Sequence, residues 1–181
     1  MRSASPFAGD RAVITNEQLR KKYLSAQMQF YFERKLAPLS AEDVQVRIEE
    51  ALKFLNMAHL CLGDIPVSKE IDDVWHYWIL QTMQYEQLCR ELPGGIFLHH
   101  TSNEYALYED PTAKERRIGR REAVTVLASY VLNYGPFTSD RVRYWPFAAH
   151  LMTKLGWSID QLNTWLASAH SHSSAVPEPA S

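Results

Sequence analysis

Two cysteines in 181 residues, Cys61 and Cys89, are too few for a disulfide framework. The first fifteen residues hold no apolar stretch that could act as a secretion signal, so both thiols are expected reduced in a cytoplasmic protein. Long hydrophobic runs are missing as well. None approaches the roughly 18 residues that cross a bilayer, which excludes a helical membrane span. The chain also lacks an excess of either charge: its formal net of −2 gives no general attraction to nucleic acid or to anionic membranes. There is no Gly-rich phosphate loop, no Gly-x-Ser-x-Gly elbow and no Cys-x-x-Cys pair. The familiar signatures of nucleotide-binding, serine-hydrolase and thioredoxin-like proteins are therefore absent.

What is present is apolar, aromatic and patterned for helices. With 46% apolar and 12% aromatic residues, a chain of this length can bury a core without staples. Thr15 and Gln18 have capping-box spacing, and Leu19, Tyr23, Ala26 and Phe30 follow at steps of three and four, predicting one helix that stops before Pro38. Ser40 and Asp43 open a second helix. Val44, Ile48, Leu52, Leu55 and Leu62 keep its stripe, with His59 on it, until Gly63, Asp64 and Pro66. Ser68 is placed as the N-cap of a third helix, from Lys69 to about Glu91, closed by Pro93-Gly94-Gly95. Ile96–His100 reads as a short extended run. Thr112 and Glu115 start a long helix ending near Tyr134-Gly135-Pro136; Trp145-Pro146 starts another to about Leu155; Ser158 and Gln161 cap a last one ending near Ala169. The expected fold is all-α: one compact domain of about five to six helices over residues 15–169, with a short extended segment after the central helix. Residues 1–14 are expected as an irregular arm, and the small, polar, Pro-containing residues 170–181 as a disordered tail.

The segment from Ser68 to His100 gathers the residues that carry chemistry. Asp72 and His76, four apart, share one helix face at the head of an apolar stripe continued by Ile79, Leu80 and Met83. A carboxylate one turn from an imidazole can ligate a metal beside it, or accept its ring N–H and fix its tautomer. The same pair also reads as a helix-dipole charge next to a core histidine. Cys89 lies 13 residues beyond His76, about 20 Å up a continuous helix and about 140° around it, which sets it aside as a small buried hydrophobe. Past Gly94-Gly95, an extended chain reaching roughly 26 Å can return along the helix to His76. Side chains alternate along such a run, so only one of His99 and His100 should face the pair. His99 shares a side with Phe97 and takes the slight preference. Two imidazoles and a carboxylate suit zinc, or iron(II) with open positions, so the candidate metal ligands are Asp72, His76, His99 and His100.

The pattern Asp72-x-x-Trp75-His76, then Thr82, Tyr85 and Cys89, then Gly95 and His99-His100, resembles a family of small bacterial proteins of unknown function. Plant glycine-rich-domain proteins carry a similar Asp-x-x-Trp-His element, often with a second histidine where this chain has Trp78. The stretch around Tyr134–Pro146 is similar to the C-terminal part of the bacterial family. The resemblance spans roughly residues 40–150 and implies a helical domain, without an activity to carry over.

Two further surfaces invite other readings. Lys114, Arg116, Arg117, Arg120 and Arg121, with Arg141 and Arg143, could form a patch for nucleic acid or an acidic partner; Glu115 and Glu122 suit a solvated helix face instead. Tyr77 and Trp78 cannot both point inward from one helix, so one could mark a partner surface. His170 and His172 lack a scaffold that could make them ligands. The leading expectation is a cytoplasmic helical protein with an iron or zinc site serving a small molecule or protein partner, as a metal-dependent enzyme or an accessory protein. The rival is a non-catalytic interaction module whose His and Asp residues only lock the fold.

Overall fold

The computed structural model describes residues 12–60, 65–100 and 119–169. Among them are eight α-helices and no strand: α1 (Asn16–Tyr23), α2 (Ala26–Lys35), α3 (Ala41–Met57), α4 (Lys69–Ile79), α5 (Thr82–Glu91), α6 (Arg120–Tyr134), α7 (Pro146–Leu155) and α8 (Ile159–Ala169). Single 3-10 turns follow at Ala58–Leu60 and Val142–Tyr144. No helix among the described residues is long and apolar enough to cross a membrane. Cys61, Leu62, Gly63, Asp64, Thr112, Lys114, Glu115, Arg116, Arg117, His170 and His172 lie outside the described residues, as do most of the expected arm and all of the expected tail.

Helix starts follow the local chemistry. Thr15 and Gln18 exchange side-chain-to-backbone bonds of 3.1 and 2.8 Å, Ser40 accepts from the Asp43 N–H at 3.0 Å, and Ser158 and Gln161 cap α8 reciprocally. About five to six helices were expected and eight are found among the described residues, because two of the expected segments are broken. The first breaks at Leu24, where Ser25 accepts from the Met28 N–H at 3.2 Å and gives its own hydroxyl to Gln84 at 2.8 Å. Ser25→Ala should therefore lower stability by about 1 kcal/mol, readable as a shift in denaturation midpoint; an unchanged midpoint would show that the break does not depend on this cap.

The second break falls at Leu80–Gln81, with no Gly or Pro to announce it. On an uninterrupted helix Trp75 and Tyr85 would stand about 15 Å apart along the axis. The kink instead brings the Trp75 Nε1–H to within 2.9 Å of the Tyr85 hydroxyl oxygen. Leu80 and Met83 are left 65% and 84% exposed at the corner, so the stripe expected to run through them is interrupted there.

α3 is the axis of the fold and packs against α1, α2, α4 and α6. Every residue from Ile48 to Met57 is buried, so the helix has no solvent face over that length. Ile48, Leu52 and Leu55 meet Phe32 of α2, Ile71, Val74 and Trp78 of α4, and Val126, Leu127 and Tyr130 of α6 in one core cluster. Trp78 is the inward member of the Tyr77–Trp78 pair; Tyr77 is half-buried, edge-on to Tyr31. His59, expected on the apolar stripe of α3, is exposed in the 3-10 turn that ends it.

All-round burial forces the charges of α3 into partnerships, since an unpaired buried charge is costly. Glu50 accepts from Lys53 Nζ at 2.8 Å, Tyr130 Oη at 3.0 Å, Arg141 Nη1 at 2.8 Å and Trp145 Nε1 at 2.8 Å. Glu49 pairs with Arg20 and with Arg141 Nη2, the latter at 2.6 Å. Burial pushes the Lys53 ammonium below its usual pKa, and burial with the Glu50 charge beside it pushes the Tyr130 phenol up. Arg141 thus belongs to this buried network and is withdrawn from the basic patch proposed for it. Arg143 gives a hydrogen bond to Tyr144 Oη at 2.7 Å, while Arg120 and Arg121 are exposed at the start of α6.

Candidate metal centre

Ser68, whose N–H reaches the Tyr144 carbonyl at 2.9 Å, fixes where α4 begins and hence the direction of its first two turns. Asp72 and His76 sit on that face, half-buried and exposed respectively. Their i,i+4 spacing gives a His76 Nδ1 to Asp72 Oδ2 distance of 3.3 Å. His76 Nδ1 is also 2.8 Å from the Asp72 backbone carbonyl. When Nδ1 carries the proton and donates to that carbonyl, the lone pair is left on Nε2, the arrangement commonly found around metal-bound histidines.

The third residue arrives by the return of the chain after α5. Leu92 is buried, and Gly94 and Gly95 turn the backbone with φ of +88° and +61°, values that side chains disfavour. Residues 96–100 then run back without joining any sheet. They are tied down at Leu98, whose carbonyl accepts from the Tyr85 hydroxyl, itself the acceptor for Trp75 Nε1. Burial pushes the Tyr85 phenol well up, so it remains a protonated donor. His100 then rests edge-on against Trp75, ring centroids 4.6 Å apart, and Trp75 rests against Phe54 of α3 at 5.3 Å.

Asp72, His76 and His100 each offer a ligand atom, and the three atoms lie within 4.8 Å of one another. His100 Nε2 is 3.3 Å from Asp72 Oδ1, and the two imidazole centroids are 4.1 Å apart. A charge-assisted hydrogen bond usually closes to about 2.7–2.9 Å. Ligands held at 2.0–2.1 Å around a tetrahedral ion stand about 3.3 Å apart, the spacing seen here between His100 and Asp72. The His100 side chain is 19% exposed and the His76 side chain 45%, so one flank of the trio is open to solvent.

The alternation expected of the tandem histidines is present with the opposite sense. His100 faces Asp72; His99 is exposed beside Phe97, centroids 5.1 Å apart, and outside the trio. The reason is that Phe97 is itself 46% exposed, lying edge-on across Tyr85 instead of entering the core, while Leu98 and His100 take the inward side. Cys89 also stays outside, but not for the reason the sequence suggested, since the helix between it and His76 is broken. It is buried next to the Tyr85 hydroxyl and is absent from the ligand cluster. Trp75 and Tyr85, which link α4, α5 and the returning chain beside the trio, both stand in the Asp-x-x-Trp-His pattern. Their signal is the polar tip each must satisfy when buried.

A family model described as UCP032817-like matches residues 14–125 of the chain, a span that holds all three members of the trio. No curated protein matches the chain. No solved structure matches it either.

Proposed function

The chain belongs to the UCP032817-like family, and we propose that it binds one divalent transition-metal ion, zinc or iron(II), through Asp72, His76 and His100, leaving coordination positions open for a small molecule. The observation that carries this reading is the convergence of three ligand atoms from two separate elements to within 4.8 Å. Two neutral imidazoles and one carboxylate offset only part of a divalent charge, so the bound ion stays a Lewis acid able to polarise a substrate or activate water or dioxygen. The exposed flank at His76 supplies the access such chemistry needs.

Protein made without a histidine tag, stripped with chelator and titrated with Zn²⁺, or with Fe²⁺ under anaerobic conditions, is expected to take up one ion per chain. At a free concentration a hundred times the dissociation constant, that ion should add about 2.7 kcal/mol to stability. Failure of the stripped protein to take up either ion, or equal uptake after Asp72, His76 and His100 are all replaced by alanine, overturns the reading.

The contacts of His100 with Asp72 Oδ1 at 3.3 Å and with the His76 ring at 4.1 Å favour a second reading, in which the trio is a clasp between α4 and the returning chain. A clasp predicts that His76→Ala lowers the melting temperature equally with and without added metal. A metal site predicts a much larger fall in the metal-loaded protein.

A further inference from the structure

The two flanks of the metal centre along α4 differ in chemistry. On a helix surface the neighbours of His76 are the residues three and four positions away: Asp72 and Asp73 towards the N-terminus, Ile79 and Leu80 towards the C-terminus. Asp72 is a proposed ligand. Asp73 is held by Lys69 Nζ at 2.6 Å, so that pair carries no net charge. Ile79 is half-buried and packs against the core. Leu80 keeps helical backbone angles and gives its N–H to the His76 carbonyl at 3.1 Å, yet its side chain is largely exposed. Side chains on a helix lean towards its N-terminus, so Leu80 leans back over the turn that carries His76. Met83, still more exposed, follows just beyond the corner between α4 and α5.

The same residues set the approach to the ion. His100, with the Trp75 indole against it, closes the side of the returning chain. His76 is the more exposed imidazole, so the open position lies on its side. A ligand that reaches it extends either over the carboxylates of Asp72 and Asp73 or over Leu80. Two neutral imidazoles and one carboxylate leave a divalent ion with one positive charge to balance, which favours a monoanion. A carboxylic acid is a monoanion at neutral pH, whereas a phosphate monoester approaches two charges and would be repelled by the neighbouring carboxylates. An apolar chain gains by covering Leu80 and would only desolvate the two aspartates. Resting on the proposed metal centre, we infer that its open position takes an aliphatic monocarboxylate, with the carboxylate on the ion and the chain laid over Leu80 towards Met83.

The test uses the full chain loaded with zinc, its zinc content measured by elemental analysis before and after each titration. Acetate, butyrate and hexanoate are the probes, with hexanol as the uncharged analogue, and the ring signals of His76 and His100 report binding. Each added pair of methylenes on an open surface should tighten the midpoint about three- to four-fold, giving about ten-fold from acetate to hexanoate. Leu80→Gln, a change at an exposed position, should still take up zinc and should bring hexanoate to within about two-fold of acetate. Failure of the wild type to take up zinc removes the metal centre and its ligand together. With zinc bound, the inference alone is overturned by any of four results: no saturation with any acid, equal midpoints for acetate and hexanoate, an undiminished gain in Leu80→Gln, or hexanol as effective as hexanoate. Saturation of zinc-free protein by hexanoate overturns it as well, since the carboxylate would then not be on the ion.

Discussion

Glu50→Ala is expected to destabilise the fold by about 3–5 kcal/mol, measured by denaturant unfolding at neutral pH. Glu50 is wholly buried and accepts from Lys53, Tyr130, Arg141 and Trp145, which joins α3 to α6 and to the turn before α7. Alanine removes the common acceptor and strands the donors. Arg141 retains Glu49, and Tyr130 loses its bond to the carboxylate, but the Lys53 ammonium keeps only the Tyr130 oxygen. Its pKa, already held below 10.5 by burial, should then fall further because the raising influence of Glu50 is gone.

The linkage has a definite sign. With its folded-state pKa depressed, Lys53 binds its proton more readily in the unfolded chain, so stability rises with pH from that depressed value towards 10.5. The variant should therefore regain part of its loss as pH is raised, and its stability should begin to rise at a lower pH than that of the wild type. A loss under about 1 kcal/mol, or a rise that begins at the same pH in both proteins, would show that the network is not what holds α3 to its neighbours.

Much of the helical framework was legible because its signals are local. Thr15, Ser40 and Ser158 bond to backbone groups three residues away, and Pro146 at the start of α7 has no N–H to leave unpaired, so a few neighbouring residues fix each start. The break at Leu80–Gln81 is different. Its compensation is a bond between Trp75 and Tyr85, ten residues apart, and that bond exists only once the chain has bent. Burial of Glu49, Glu50 and Lys53 was equally illegible. Adjacent charges read as a solvated face, and only the packing of four helices around α3 turns that face inward. The candidate site divides along the same line. Helix spacing gives Asp72 with His76, and alternation gives one histidine of the tandem pair. Which histidine it is depends on where the Leu98 carbonyl is held, a fact that belongs to the tertiary structure.

That dependence gives the second large effect. His100→Ala removes one of the three proposed ligands and is expected to weaken metal binding by more than 100-fold, beyond the 10–100-fold typical of losing an orienting neighbour. Tyr85→Phe touches no ligand, yet it should weaken binding by about 10–100-fold. The hydroxyl it deletes receives the Trp75 N–H and holds the Leu98 carbonyl two residues before His100. Without it, those two partners are left unpaired at a cost of about 1–3 kcal/mol, and both the wall and the returning segment that aim the His100 ring are released. Competition against a chromophoric zinc chelator measures both affinities, and melting of the metal-free proteins separates positioning from folding. If Tyr85 acts by aiming His100, Tyr85→Phe adds little to the affinity already lost in His100→Ala, because the imidazole it would misplace is gone. Full additivity of the two losses would mean that Tyr85 supports the rest of the fold and not the geometry of the site.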